Sequence, residues 1–221
     1  MNILVIAAHA DDEVLGCGGT IAKYKDQGAT VNVALLADGV SSRSNSSDDD
    51  LRIRNNAARD ANKILGVDQV LLGEFPDNRM DSIDLLHIVQ HVEGLINELK
   101  PDVILTHHSN DLNIDHCIVS QAVSTACRPQ NNCPVKSILF FEVPSSTEWQ
   151  INSLDAFSPN FFEDVTDYMH KKTKALEIYS MEMREWPHPR SIKGVTHLAK
   201  WRGATIGVDT AEAFVVGRIV R

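Results

Sequence analysis

Ile3-Leu4-Val5-Ile6-Ala7-Ala8, followed at once by His9-Ala10-Asp11-Asp12-Glu13, is the stretch on which the reading of the fold turns. A continuous apolar run rich in β-branched residues reads as a strand buried on both faces, the environment of a parallel sheet. A helical pattern follows from Val14 to Gln27 and stops at Gly28, and a second buried strand runs from Thr30 to Ala37. Strand, helix and strand in that order form a βαβ unit with a right-handed crossover.

The alternation continues outward. Asp38 to Asp50 is polar and reads as a mobile loop. Leu51 to Leu65 reads as a helix ending at Gly66, and Gln69 to Leu72 as a short strand. Ser82 is the expected N-cap of a helix running to Leu99, where Lys100-Pro101 closes it. Asp102 to Thr106 and Ser137 to Val143 read as strands, with a helix from His116 to Cys127 between them. Beyond Pro144 the pattern weakens. Phe161 to Val165 and Ala213 to Val220 read as strands, and Asp167 to Met183 and Ser191 to Arg202 as helices. The expectation is a single domain over residues 1–221, a three-layer α/β/α sandwich with a mostly parallel, Rossmann-like sheet and an irregular C-terminal third.

Composition narrows the class. The chain has 221 residues, of which 43% are hydrophobic and 23% charged. That is ordinary for a globular domain with a sizeable core, and it excludes collagenous, coiled-coil and wholly disordered chains. Against 30 acidic side chains there are 21 basic ones, a net charge of −9. Such a surface repels nucleic acid and anionic membranes, so no nucleic-acid partner is expected. No apolar run approaches the roughly 18 residues of a membrane span, and the N-terminus lacks the zones of a signal peptide. Cys17, Cys117, Cys127 and Cys133 form no Cys-x-x-Cys pair. A cytoplasmic setting is the resulting expectation.

Sites in open α/β sheets lie beyond the carboxyl ends of the strands. Three polar clusters fall there: His9 to Glu13, Asp38-Gly39, and His107-His108-Ser109-Asn110-Asp111-Leu112-Asn113-Ile114-Asp115-His116. Acids at a helix start are partly explained by the helix dipole, and Asp115 could cap the helix that follows it. Neither explains the histidines, nor why Asp11 and Asp12 stand side by side, where their charges repel and a cation would relieve them. A histidine of the third cluster with His9 and an aspartate gives two imidazoles and one carboxylate. That donor set suits a catalytic zinc ion with one position open to water, and equally a two-histidine-one-carboxylate iron site. Gly16-Cys17-Gly18-Gly19 imitates a dinucleotide-binding turn, but position 21 is Ile and three acids fill the turn itself. The glycines instead read as close helix–sheet packing.

The run Ala8-His9-Ala10-Asp11-Asp12-Glu13-Val14-Leu15-Gly16-Cys17-Gly18-Gly19-Thr20, with Asp115-His116 as a second motif, resembles the PIG-L/LmbE-like zinc-dependent N-deacetylases. Phe141 to Trp149 and Pro187-His188-Pro189-Arg190-Ser191 look like the branch found among sugar and surface-polysaccharide genes. The resemblance implies a hydrolase removing an acetyl group from an N-acetylated amino sugar that is free, nucleotide-linked or lipid-linked. It implies one zinc or other divalent ion per chain, with His9, Asp12 and His116 as ligands, Asp11 as the general base and Arg54 on the substrate. It also implies a small-molecule partner and a homo-oligomer. Ala10 replaces the usual proline, and Ala57 stands where many members carry glutamate. Asn113 replaces a histidine and is expected to donate to the oxyanion. Asp38, His108, His188 and Arg190 complete the expected substrate side, His108 as a residue behind the site. The alternative from another class is a sugar- or nucleotide-binding protein that keeps the metal motif without turnover.

Overall fold

In the computed structural model, which describes residues 1–39, 48–130, 133–151 and 156–220, the run Ile3–Ala8 divides its side chains between two cores. Ile3, Val5 and Ala7 enter one cluster, and Leu4, Ile6 and Ala8 the other. Both faces of the strand are therefore dry, as expected for a central parallel strand. This strand, β1 (Asn2–Ala7), pairs in parallel with β2 (Thr30–Ala37) on one side and β4 (Val103–His107) on the other. β3 (Gln69–Phe75) lies outside β2, and β5 (Ser137–Phe141) lies outside β4, again in parallel. β7 (Ala211–Ile219) and β6 (Phe161–Asp164) extend the sheet antiparallel, giving the order β3-β2-β1-β4-β5-β7-β6. The chain reverses its direction of travel across the sheet between β1 and β4. That is the switch point where such sheets place ligands.

Four helices cover the first core: α1 (Asp12–Asp26), α2 (Asp48–Leu65), α5 (Met169–Ile178) and α6 (Ile192–Ala204). α3 (Leu85–Leu99) and α4 (Ile114–Ala126) cover the second. The expected three-layer architecture with its mostly parallel sheet is the one observed.

Several boundaries differ from the sequence reading. α3 begins at Leu85 with Asp84 at its N-cap position, not at Ser82. Ser82 ends a short 3-10 turn, where its hydroxyl donates to Arg79 O. The turn is pinned by Met80, which is fully buried and whose N–H donates to Asp115 Oδ1. β3 continues past Leu72 to Phe75, because Gly73 lies against the Leu36 backbone where a Cβ would not fit. α5 ends at Ile178 rather than Met183. Asn113, not Asp115, caps α4, accepting from Asp115 N at 2.9 Å. Of the polar segment after β2, residues 40–47 lie outside the described residues.

α1 is broken at Cys17, whose φ of −145° is non-helical. A break frees backbone groups that burial would leave unpaired. The C-terminal third supplies their partners: Glu212 of β7 accepts from Gly19 N and Thr20 N, and Lys172 of α5 donates to Leu15 O and to Glu212. Gly16 and Gly19 lie directly against Phe141 and Val165, so these glycines serve close packing as the sequence suggested.

Candidate metal centre and its rim

β1 ends at Ala7 and α1 starts at Asp12, leaving Ala8 to Asp11 to make the turn. Asp11 takes φ +117°, a strained conformation for an aspartate. The strain is held by a buried network: Asp11 N donates to Glu13 Oε2, while Glu13 Oε1 accepts from Asn62 Nδ2 and from the Tyr179 hydroxyl. Burial raises the pKa of Glu13 against these hydrogen bonds. The turn sends Asp11 and Asp12 in different directions. Asp12 goes inward and Asp11 toward a cleft that it lines with His9, Arg54, Asp77, Asn113 and Arg190.

His116, near the start of α4, comes back across the switch point to His9 and Asp12. His9 Nδ1, Asp12 Oδ2 and His116 Nε2 form a nearly equilateral triangle with sides of 3.2, 3.1 and 3.3 Å. All three residues are buried and could hold a metal ion. A tetrahedral ion with bonds of about 2.0–2.1 Å sets its donors about 3.3–3.4 Å apart, so the triangle has the right size.

The outer contacts fit as well. His9 Nε2 lies 3.0 Å from Asp115 Oδ2 and 3.2 Å from Asp77 Oδ1. His116 Nδ1 lies 3.1 Å from Asp111 Oδ1. Carboxylates only accept, so the outer nitrogen of each imidazole is the donor to them, and a metal ion would take the place of any proton on the inner nitrogen. Asp115 is fixed in turn by Asn78 N and Met80 N, and Asp111 by Asn113 N and the hydroxyls of Ser146 and Thr147. Asp12 Oδ1 is buried with no partner among the described residues.

The electrostatics describe a cluster short of positive charge. Burial would lower the pKa of His9, but Asp115, Asp12 and Asp77 outweigh it and raise it to about 10. Burial likewise opposes the charged form of His116, and Asp12 and Asp111 raise it to about 9. Burial alone would raise Asp12, yet His116 and His9 hold it well below the usual carboxylate range. Burial pushes Asp11 up to about 7, with Arg190 pulling it down and Asp12 pushing it further up. A carboxyl near neutrality can both take and return a proton.

The remaining residues expected at the site are placed differently from one another. Arg54 and Arg190 reach the cleft: Arg54 pairs with Glu182 at 2.8 Å, and Arg190 Nη1 with Asp11 Oδ2 at 3.1 Å. Asn113 is on the cleft wall, its Oδ1 spent on the α4 cap and its Nδ2 donating to Asn78 Oδ1. His188 touches Arg190, whose N–H it accepts, and packs its ring against Trp149. Asp38 closes β2, its N–H donating to Phe75 O, next to Gly39, which lies under the Arg54 guanidinium.

One assignment is reversed. His107, not His108, lies behind the donor triangle. Its ring stacks on His116 at 4.0 Å, and its Nε2 accepts from Ala8 N. Burial and His116 keep it well below the usual histidine range, hence neutral. His108 faces the ring of Phe157 instead. The sequence reading also passed over Asp77, Asp111, Ser146 and Glu182. Asp77 lies two residues past the end of β3, at the same rim as the other clusters.

Residues 4–127 match the model of the PIG-L family, described as GlcNAc-PI de-N-acetylase. The chain is 33% identical over 182 residues to the uncharacterized deacetylase YaiS of Escherichia coli K12, covering 80% of this chain and 89% of that one. It is 25% identical over 200 residues to the diacetylchitobiose deacetylase of Thermococcus kodakarensis, covering 83% and 71%. Among solved structures, GalB, the 4-carboxy-2-hydroxymuconate hydratase of Pseudomonas putida KT2440, superposes with a TM-score of 0.79 at 20% identity over 100% of this chain and 98% of that one. That likeness extends to the fold alone, since a hydratase and deacetylases share it. With the family model covering more than half of the sequence, this chain belongs to the PIG-L family, whose deacetylases are metal-dependent hydrolases acting on amides.

Proposed function

We propose that the protein is a zinc-dependent N-deacetylase of an N-acetylated amino sugar, free or carried on a nucleotide or lipid. Names among its relatives support the substrate class, the diacetylchitobiose deacetylase in particular. The observation that carries the mechanism is the pairing of a buried two-histidine-one-carboxylate triangle with an adjacent carboxylate that is not part of it.

His9, Asp12 and His116 would hold one divalent ion per chain. When bound, it supplies an acidified water and polarises the acetyl carbonyl. The protein's own groups do the rest. Asp115 and Asp111 fix the tautomers of the two histidines. Asp11 Oδ2 is taken by Arg190, and no hydrogen bond among the described residues occupies Oδ1, so this oxygen is available to accept the proton of the attacking water. Asp11 then delivers that proton to the leaving nitrogen, which as an amide ion would be too basic to depart. Arg54 and Arg190 give the cleft two cations and suit it to an oxygen-rich ligand.

Acetate release from purified, zinc-loaded protein tests the proposal. The panel is N-acetylglucosamine, N,N'-diacetylchitobiose, a nucleotide-linked N-acetyl sugar and a lipid-linked one. Release from at least one, stopped by a chelator and restored by zinc, is the expected result. No release from any of them overturns the substrate class.

A further inference from the structure

Water adding to an amide carbonyl leaves negative charge on the former carbonyl oxygen, and a preorganised donor aimed at that charge accelerates the reaction. Asn113, the residue expected to serve here, is neutral and largely committed: its oxygen caps α4, and its NH2 group already donates to Asn78. Two guanidinium groups face the cleft. Arg54 donates to Glu182 and Ala10 O, and its Nε is buried. Arg190 is built differently. Nη1 donates to Asp11 Oδ2 at 3.1 Å and Nε to Ser145 Oγ at 2.7 Å, while Nη2 has no hydrogen bond among the described residues. The group is therefore anchored at two corners beside the residue proposed to take the water's proton, with a charged donor left over.

The segment carrying Arg190 is held in place. Arg190 N donates to His188 Nδ1. The next residue, Ser191, caps α6 by accepting from Gly194 N at 2.9 Å. Gly194 packs so closely on Pro189 O that a Cβ would displace it. Ser145, the second anchor, sits at φ +68° in the turn after β5. A donor fixed in this way needs little reorganisation when charge appears beside it.

We propose that Arg190 is a catalytic residue that donates through Nη2 to the oxyanion of the tetrahedral adduct, an assignment that rests on the deacetylase reading above. The water oxygen bonds to the acetyl carbon, the carbonyl π pair moves onto oxygen, and Asp11 takes the water proton. Arg190 holds the oxyanion. The C=O bond then re-forms, the C–N bond breaks, and the nitrogen leaves as an amine with the proton from Asp11. The acetic acid formed loses its own proton to solvent.

Arg190→Gln and Arg190→Lys test this with two readouts. The first is kinetic, on whichever panel sugar releases acetate. Arg190→Gln should lower kcat by about 10²–10³-fold, the worth of one oxyanion donor, with KM and bound zinc unchanged and partial recovery in Arg190→Lys. The second needs no substrate: calorimetric binding of methylphosphonate, a tetrahedral anion shaped like hydrated acetate, to zinc-loaded protein. Arg190→Gln should weaken it, and should do so equally in an Asp11→Asn background. A rise in KM with kcat preserved would instead place Arg190 on an anionic part of the substrate and overturn the proposal. So would methylphosphonate binding that responds to Arg190 only when Asp11 is present, the mark of a residue that positions the base. Arg190-dependent methylphosphonate binding without acetate release from any sugar would sink the substrate class and leave Arg190 as the oxyanion donor.

Discussion

The donor triangle and the rim of the same cleft are built from different parts of the chain and in different ways. His9, Asp12 and His116 all lie within the segment that matches the family model, at the carboxyl ends of adjacent central strands β1 and β4. Their geometry follows from short-range features, two strand-to-helix turns and the carboxylates behind each histidine. The rim cations and the supports of α1 come largely from beyond that segment: Lys172, Tyr179, Glu182, Arg190 and Glu212. The triangle is fixed by adjacency in the sheet, whereas the rim is fixed by long-range polar contacts that could be changed without touching a ligand. On the proposed function, the contrast separates holding a metal from using it.

Asp12→Asn should produce the largest effect. It replaces an anionic donor with a neutral amide, so bound metal at limiting zinc and acetate release should both fall to background. Asp11→Asn comes next and should fail differently, keeping stoichiometric metal while turnover drops by about 10²–10⁴-fold. If Asp11→Asn loses the metal and Asp12→Asn keeps it, the two roles are exchanged. Lys172→Met probes the supports from the far end of the chain. It leaves Glu212 buried without its cation, a change that typically costs about 3–5 kcal/mol. Denaturant unfolding should show that loss, while the protein that remains folded retains its zinc. Asp111→Asn, which touches no metal, should weaken zinc affinity by about 10–100-fold through His116, as read by competition with a chromophoric chelator. The smallest effect belongs to Asn113→Ala. Loss of the α4 cap should lower stability by about 1 kcal/mol, and with Arg190 as the oxyanion donor kcat should hardly move. A large fall in kcat for Asn113→Ala would return the oxyanion to Asn113.

Those features of the site that depend on local order were legible in the sequence. A buried strand ending in His9-Ala10-Asp11-Asp12-Glu13 and another ending near His116 announce two polar turns on one rim, and the structure brings them within 3.3 Å. Which of two neighbouring histidines would face the triangle was not legible. His107 and His108 point to opposite sides of the end of β4, and the choice depends on Ala8 N and Phe157, neither of them near in sequence. Asp77 was hidden by an early end to β3. The sequence reading ends the strand at Leu72, yet Gly73 is what lets it pass Leu36. Ser82 looked like a cap because the pull of Asp115 on Met80 is a tertiary effect. Glu182 gave no signal at all, since it reaches Arg54 only after α5 has ended.

The break in α1 has a consequence for the order in which the molecule is made. The turn bearing His9 and Asp12 precedes His116 in the chain, and both precede the last strand, β7. The freed amides of Gly19 and Thr20 and the carbonyl of Leu15 find their partners only when Lys172 and Glu212 arrive. Asp11 likewise waits for Tyr179 to complete the network that holds its turn. A nascent chain that already carries all three residues of the donor triangle still lacks the supports of the helix on which two of them depend, so the triangle is braced only once β7 has been made.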